Sequence, residues 1–173
     1  MFQGKSKFSL IAPVLVCLTL VATATAAIAG WHGLSQSQRN NHIVTRASRD
    51  LGRNVGVECK EWVRNVVRGV SNVNIPSNAN NYTWSTVSSN HCVRMLKPFP
   101  ISWVQRGQII QMQWRNRNGT IYPHTAIVLS NNGTSMTWID SNWLGDTTVR
   151  THEVSVRNFE LRVGTNYNVY EIR

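Results

Sequence analysis

Hydrophobic and polar positions repeat with two different periods along the chain, and the change falls near residue 107. From Val55 to Ser71 the period is helical. Cys59, Trp62, Val63, Val66, Val67 and Val70 recur every three or four residues, while Lys60, Glu61, Arg64, Asn65 and Arg68 take the other face. This spacing predicts an amphipathic helix with Cys59 in its first turn. From Gly107 onward the period is two. Ile110, Met112 and Trp114 alternate with Ile109, Gln111 and Gln113, and Asn116–Gly119 is a turn. Two further strand-rich runs, PHTAIVL and TSMTWID, flank Asn131-Asn132-Gly133 and predict a hairpin. VRTHEVSV and NVYEIR predict a fourth and a fifth strand. Helices followed by an antiparallel meander describe an α+β domain, its helices packed on a sheet of about five strands.

The chain ahead of these elements reads differently. Lys5 and Lys7 precede an uninterrupted apolar run from Phe8 to Ala29 that ends in small residues, the pattern of an export signal over residues 1–29. Residues 30–44 are rich in Gln, Ser and Asn and read as a linker. A short helix is expected from Thr45, its N-cap, to a stop at Gly52. The domain proper is then 45–173. Within it, Ser71 to His91 is dense in Asn and Ser and reads as a long surface loop. Pro98 and Pro100 argue against a central strand beside them.

Charge and cysteine content narrow the picture. The formal net charge is +10, falling to +8 without Lys5 and Lys7, and it is scattered rather than blocked. Anionic partners are favoured: cell-wall polymer, nucleic acid or a membrane surface. A mature chain of about 144 residues with seven Trp buries enough surface to fold without disulfides. Of three cysteines, Cys17 lies in the export run, leaving Cys59 and Cys92. In an exported protein such a pair can be a disulfide. No zinc-ligand spacing is present: His91 and Cys92, as neighbours in an extended chain, point to opposite sides, and His32, His42 and His152 have no suitably spaced partners.

The open end of the predicted hairpin gathers His124, Asp140 and Asn142, an imidazole with a carboxylate and a carboxamide to orient it. A thiol nucleophile needs such a base, and the start of a helix, where the dipole favours the thiolate, suits Cys59. Asp140 and Asn142 are two apart on a strand, so both are expected on one side. His124 and Asp140 share a face only if the turn permits it. A three-residue loop, Asn131-Asn132-Gly133 with Gly133 left-handed, pairs Ser130 with Thr134 and sets His124 directly across from Asp140. It also lines up Ala126, Val128, Met136 and Trp138 as an apolar face for the Cys59 helix.

Four local sequences, in this order, resemble the cysteine/histidine-dependent amidohydrolase/peptidase (CHAP) family of the papain-like, NlpC-type superfamily. GVECKEWVRNVV is similar to its nucleophile helix, RGQIIQMQW to its first core strand, PHTAIVL to its histidine strand and WIDSNW to its acid-bearing strand end. The resemblance spans Val55 to Trp143. It implies a papain-like fold and hydrolysis of amide bonds in peptidoglycan, by an amidase or endopeptidase. Cys59 would be the nucleophile, His124 the base, Asp140 the acid and Asn142 a polar companion, with no cofactor or metal. Two positions depart from the family: Glu58 where Gln often precedes the cysteine, and Gln108 where Asp often follows the glycine. The implied protein is secreted or periplasmic and monomeric, acts on peptidoglycan or another anionic wall polymer, and leaves room for an inhibitor protein. Stable membrane insertion and nucleic-acid binding are not expected of it. The rival expectation is a secreted binding module stapled by Cys59–Cys92. It would grip wall polymer or nucleic acid through Trp114, Arg115 and Arg117.

Overall fold

A computed structural model describes residues 30–73, 93–96 and 99–173. The expected export segment, the Ser71–His91 loop beyond residue 73, and Cys92 lie outside the described residues. The chain divides into two units, Met1–Gly33 and Leu34–Arg173. Of the first, residues 30–33 are helical. No described helix is long and apolar enough to cross a membrane.

The second unit opens with α1, Gln36–Ser48. This corrects the linker expected over 30–44 and the helix expected from Thr45. Ser35 caps α1 reciprocally: its hydroxyl accepts from the Gln38 N–H, and the Gln38 side chain accepts from the Ser35 N–H at 2.8 Å. Only Asn40, Ile43, Val44 and Ala47 of α1 are buried. That stripe has the i, i+3, i+4, i+7 spacing of a buried helix face, hidden among Gln, Ser and Asn. The packing is close at Gly107, φ +80°, where an added Cβ would fall 2.5 Å from the Asn40 Cβ.

Helix α2, Cys59–Ser71, forms where its periodicity placed it, burying Cys59, Trp62, Val63, Val66 and Val67. It ends at Asn72, whose left-handed backbone caps the last turn. The Trp62 indole donates to Asp50 at 3.1 Å and so ties α2 to the segment after α1.

Six strands follow among the described residues: β1 (Val93–Leu96), β2 (Ile109–Arg115), β3 (Ile121–Asn131), β4 (Ser135–Asp140), β5 (Arg150–Ser155) and β6 (Tyr167–Ile172), all antiparallel, in the order β1-β6-β2-β3-β4-β5. The sequence predicts five of them and misses β1. As an edge strand paired only with β6, β1 tolerates the prolines that follow it. A third helix, α3 (Val156–Val163), was also unforeseen. It begins where VRTHEVSV was expected to stay extended, because the Ser155 hydroxyl accepts the Asn158 N–H and caps it.

The fold is therefore α+β, with helices against both faces of the sheet. On one face Ile110, Met112, Ala126, Val128, Met136 and Trp138 pack with Phe159 and Val163 of α3. This corrects the expectation that the Cys59 helix covers that face. By alternation Ile109, Ile127 and Ile139, all fully buried, point the other way. Helices α1 and α2 both pack on β3.

The β3–β4 hairpin differs from expectation in its turn. The Asn132 N–H donates to the Ser135 carbonyl at 3.1 Å, leaving Gly133-Thr134 as the tip, with Gly133 at φ +85°. Asn131 then pairs with Met136 and Ser130 with Thr137. A bulge at Leu129 inserts one unpaired residue, and beyond it Val128 pairs with Trp138 and Ile127 with Ile139. The expected pairs, Ser130 with Thr134 and His124 with Asp140, are not formed. Continued to the open end, the register sets Asp140 abreast of Ala126. It remains on the His124 face, but diagonal to His124 instead of opposite.

Candidate active site

Three of the four expected site residues converge. Met112 in β2 pairs with His124, which fixes the imidazole on the α3 side of the sheet, near the open end of the hairpin. Asp140 ends β4 on the same face, wholly buried, and its Oδ2 lies 3.2 Å from His124 Nε2. That is within reach but short of a well-aligned hydrogen bond, and catalytic pairs often tighten only when substrate binds. Cys59 is a free, buried thiol in contact with the His124 ring.

The electrostatics follow from burial and pairing. Burial by itself would push the His124 imidazole down. Asp140 and Cys59 outweigh it and raise the group from 6.5 to about 9. Asp140 shows the same competition with opposite sign: burial pushes its carboxyl up, but His124 and His152 hold it below the ordinary range. The His124 contribution to stability is full below pH 6.5 and is lost as pH rises through about 9. The Asp140 contribution is present above about 3.8 and lost as pH falls below it. Both are therefore complete only between pH 3.8 and 6.5. We expect the denaturant midpoint to fall between pH 6 and pH 9.5, and the fall to shrink in His124→Phe. An equal fall in that variant would remove this pair as its source.

Asn142 does not join the group. Strand β4 stops at Asp140, and Asn142 adopts φ +64°, so strand alternation no longer places it beside Asp140. Its amide instead donates to the Glu58 carboxylate. One residue earlier, the Ser141 hydroxyl donates to the Val57 carbonyl at 3.1 Å. The end of β4 is thus fastened to the turn that presents Cys59. A Ser at a strand end gave no sign of this in the sequence.

Other contacts were also missed. The Trp138 indole donates to Asp140 Oδ2 at 2.7 Å, and His152 Nε2 lies 3.6 Å from the same oxygen. Trp138 could be read only as an apolar residue. His152 faces it across the β4–β5 pairing, a register no local motif reveals. The other departure, Gln108, is buried and accepts the Gln105 N–H at 2.8 Å, a structural role in the turn before β2.

Cys59 and His124 open onto a cavity of about 580 Å³, whose walls include Glu58, Trp114, Tyr122 and Trp143. Asp140 does not line it and stands behind the imidazole. Trp143 meets the His124 ring edge-on, with centroids 4.8 Å apart. Of the residues assigned to a binding module, Trp114 lines this cavity, while Arg115 and Arg117 are exposed elsewhere. Among the described residues no His, Cys, Asp and Glu side chains are grouped to hold a metal ion.

The architecture has a solved counterpart. The chain shares its fold with Ly7917. The match to the crystal structure of Ly7917 has a TM-score of 0.56 at 18% identity, covering 77% of this chain and 62% of that one. A second Ly7917 structure, with the hydrolyzing product of MDP, matches with a TM-score of 0.51 at 18% identity, over 80% and 63% of the two chains. This chain thus spans less than two thirds of Ly7917, and at this identity the likeness extends to the fold. No family model matches the sequence, and no curated protein does.

Proposed function

We propose that this protein is a papain-like cysteine hydrolase of the CHAP type that cleaves amide bonds in peptidoglycan, exported to the cell envelope. The observation that carries the reading is His124 standing between a free thiol and a buried carboxylate at a cavity wall. With Nε2 turned to Asp140, Nδ1 is the nitrogen left for the thiol. In this mechanism His124 already holds the proton given up by the thiol, and the Cys59 sulfur attacks the amide carbonyl carbon as its ion-pair partner. The tetrahedral intermediate collapses, the C–N bond breaks, and His124 returns the proton to the leaving amine. Water, deprotonated by His124, then cleaves the thioester and releases the acid. N–H groups at the start of α2, which have no partner within the helix, would hold the oxyanion. The structural neighbour seen with the hydrolyzing product of MDP is in keeping with such chemistry. A binding module stapled by Cys59–Cys92 would take this thiol out of the group, and alkylation of the non-reduced protein distinguishes the two readings by which cysteines carry label.

The decisive experiment is digestion of purified peptidoglycan with mass-spectrometric identification of the fragments. New amine and carboxyl ends are expected, and alkylation of Cys59 beforehand should prevent them. Cleavage confined to glycosidic bonds, or digestion indifferent to alkylation, would refute the reading.

Glu58 adds a second test. Its carboxylate neighbours the developing oxyanion, where negative charge is unfavourable, and Asn142 holds it. Glu58→Gln should raise kcat by about threefold to tenfold, and Asn142→Ala should lower it by a similar factor. If Glu58→Gln instead abolishes turnover, the carboxylate has a direct part in the chemistry.

A further inference from the structure

His152 takes no part in the chemistry proposed above, yet its surroundings are those of a site residue. The β4–β5 register places it directly across from Trp138, so its ring stands on the face that carries Asp140. Three ring nitrogens converge on one carboxylate oxygen, Asp140 Oδ2: Trp138 Nε1 at 2.7 Å, His124 Nε2 at 3.2 Å and His152 Nε2 at 3.6 Å. Only the Trp138 contact is a well-formed hydrogen bond. His152 Nε2 is buried with no hydrogen-bond partner among the described residues, and so is the second carboxylate oxygen, Asp140 Oδ1. A buried ring nitrogen and a buried carboxylate oxygen left open are rare in folded proteins, and here the nitrogen lies 3.6 Å from the other oxygen of the same carboxylate. The ring itself is held in place by Trp143, tilted against it at 4.8 Å and also edge-on to His124 at 4.8 Å. The two imidazoles therefore flank a single indole and share a single carboxylate.

We infer that His152 is a positioning residue: its Nε2–H fixes the plane of the Asp140 carboxylate in the orientation that serves His124. Trp138 alone grips one oxygen and leaves the carboxylate free to turn about it. A second donor from the β5 side removes that freedom. The effect on turnover rests on the hydrolase reading, whereas the contact itself does not.

The test has two arms. In the first, nitrogen-15 spectra of the wild-type protein report which ring nitrogens of His152 carry protons, without any substrate. A proton on Nε2 is expected, and Nε2 found as the bare lone-pair nitrogen overturns the inference. In the second, His152→Phe keeps a ring against Trp143 but has no donor. Loss of about tenfold in kcat at unchanged KM is expected, whereas His152→Gln, which keeps a donor, should stay within about threefold of wild type. Wild-type kcat in a folded His152→Phe protein overturns the inference. Should His152→Phe fail to fold, the wild-type spectrum still decides. A wild-type protein that cuts no peptidoglycan would count against the proposed function only.

Discussion

Replacing Cys59 by serine should leave the fold in place and reduce amide hydrolysis by about 10⁴-fold or more. Serine differs from cysteine by one atom, so the first turn of α2 and the burial of Trp62, Val63, Val66 and Val67 behind it should be undisturbed. The chemistry should not survive. A serine hydroxyl surrenders its proton far less readily than a thiol, and a base arranged to pair with a thiol will not compensate. Circular dichroism and a melting curve would establish the fold, and fragment release from peptidoglycan would measure the loss. Cys92→Ser should be active, because Cys59 needs no partner thiol. Appreciable hydrolysis by the Cys59→Ser protein would require a different nucleophile.

Asp140 should be the second most sensitive position. Asp140→Ala is expected to lower kcat by about 10² to 10⁴, against the few-fold loss expected for Asn142→Ala. A buried carboxylate both orients His124 and stabilises its imidazolium form, whereas the Asn142 amide donates to Glu58. The alanine variant also leaves the Trp138 indole without its acceptor, at a cost of about 1–3 kcal/mol in stability. Asp140→Asn separates the two effects, because it keeps shape and one acceptor while removing the charge. If the kcat ranking came out reversed, with Asn142→Ala the slower protein, the orienting role would pass to Asn142.

What the sequence disclosed, and what it hid, depends on the range of the interaction. The α2 helix was legible because Cys59, Trp62, Val63, Val66 and Val67 repeat at helical spacing, and all are buried. The grouping of Cys59, His124 and Asp140 was legible in outline, because a hairpin must bring its open ends together. Helix α1 was not, since four buried positions among Gln, Ser and Asn give little periodic signal, and the Ser35–Gln38 cap had to be recognised first. Strand β1 has only four residues and owes its place to pairing with β6 at the far end of the chain. The His152 contact depends on a β4–β5 register set by tertiary packing. Asn142 was misplaced because strand alternation was carried past Asp140 into a residue with a left-handed backbone.

The bulge at Leu129 makes the site depend on a change of register that substitutions at the site itself would not reveal. Nearest the tip the hairpin has an odd register, with Ser130 against Thr137, and at the base an even one, with Val128 against Trp138. Both faces of the sheet are apolar there, carrying Ile127 and Ile139 on one side and Val128 and Trp138 on the other. Hydrophobicity therefore does not distinguish the two registers. Loss of residue 129 would only remove the bulge, running Ser130–Thr137 directly into Val128–Trp138 and keeping His124 and Asp140 on one face, whereas a hairpin that kept residue 129 and paired it with Trp138 would set Asp140 against Ile127 and put His124 and Asp140 on opposite faces. Residues added at Gly133-Thr134 would lengthen only the tip. A one-residue slip of β3 on β4 that flattens the bulge would thus take the candidate site apart within the same architecture, and it would leave every candidate catalytic side chain in the sequence.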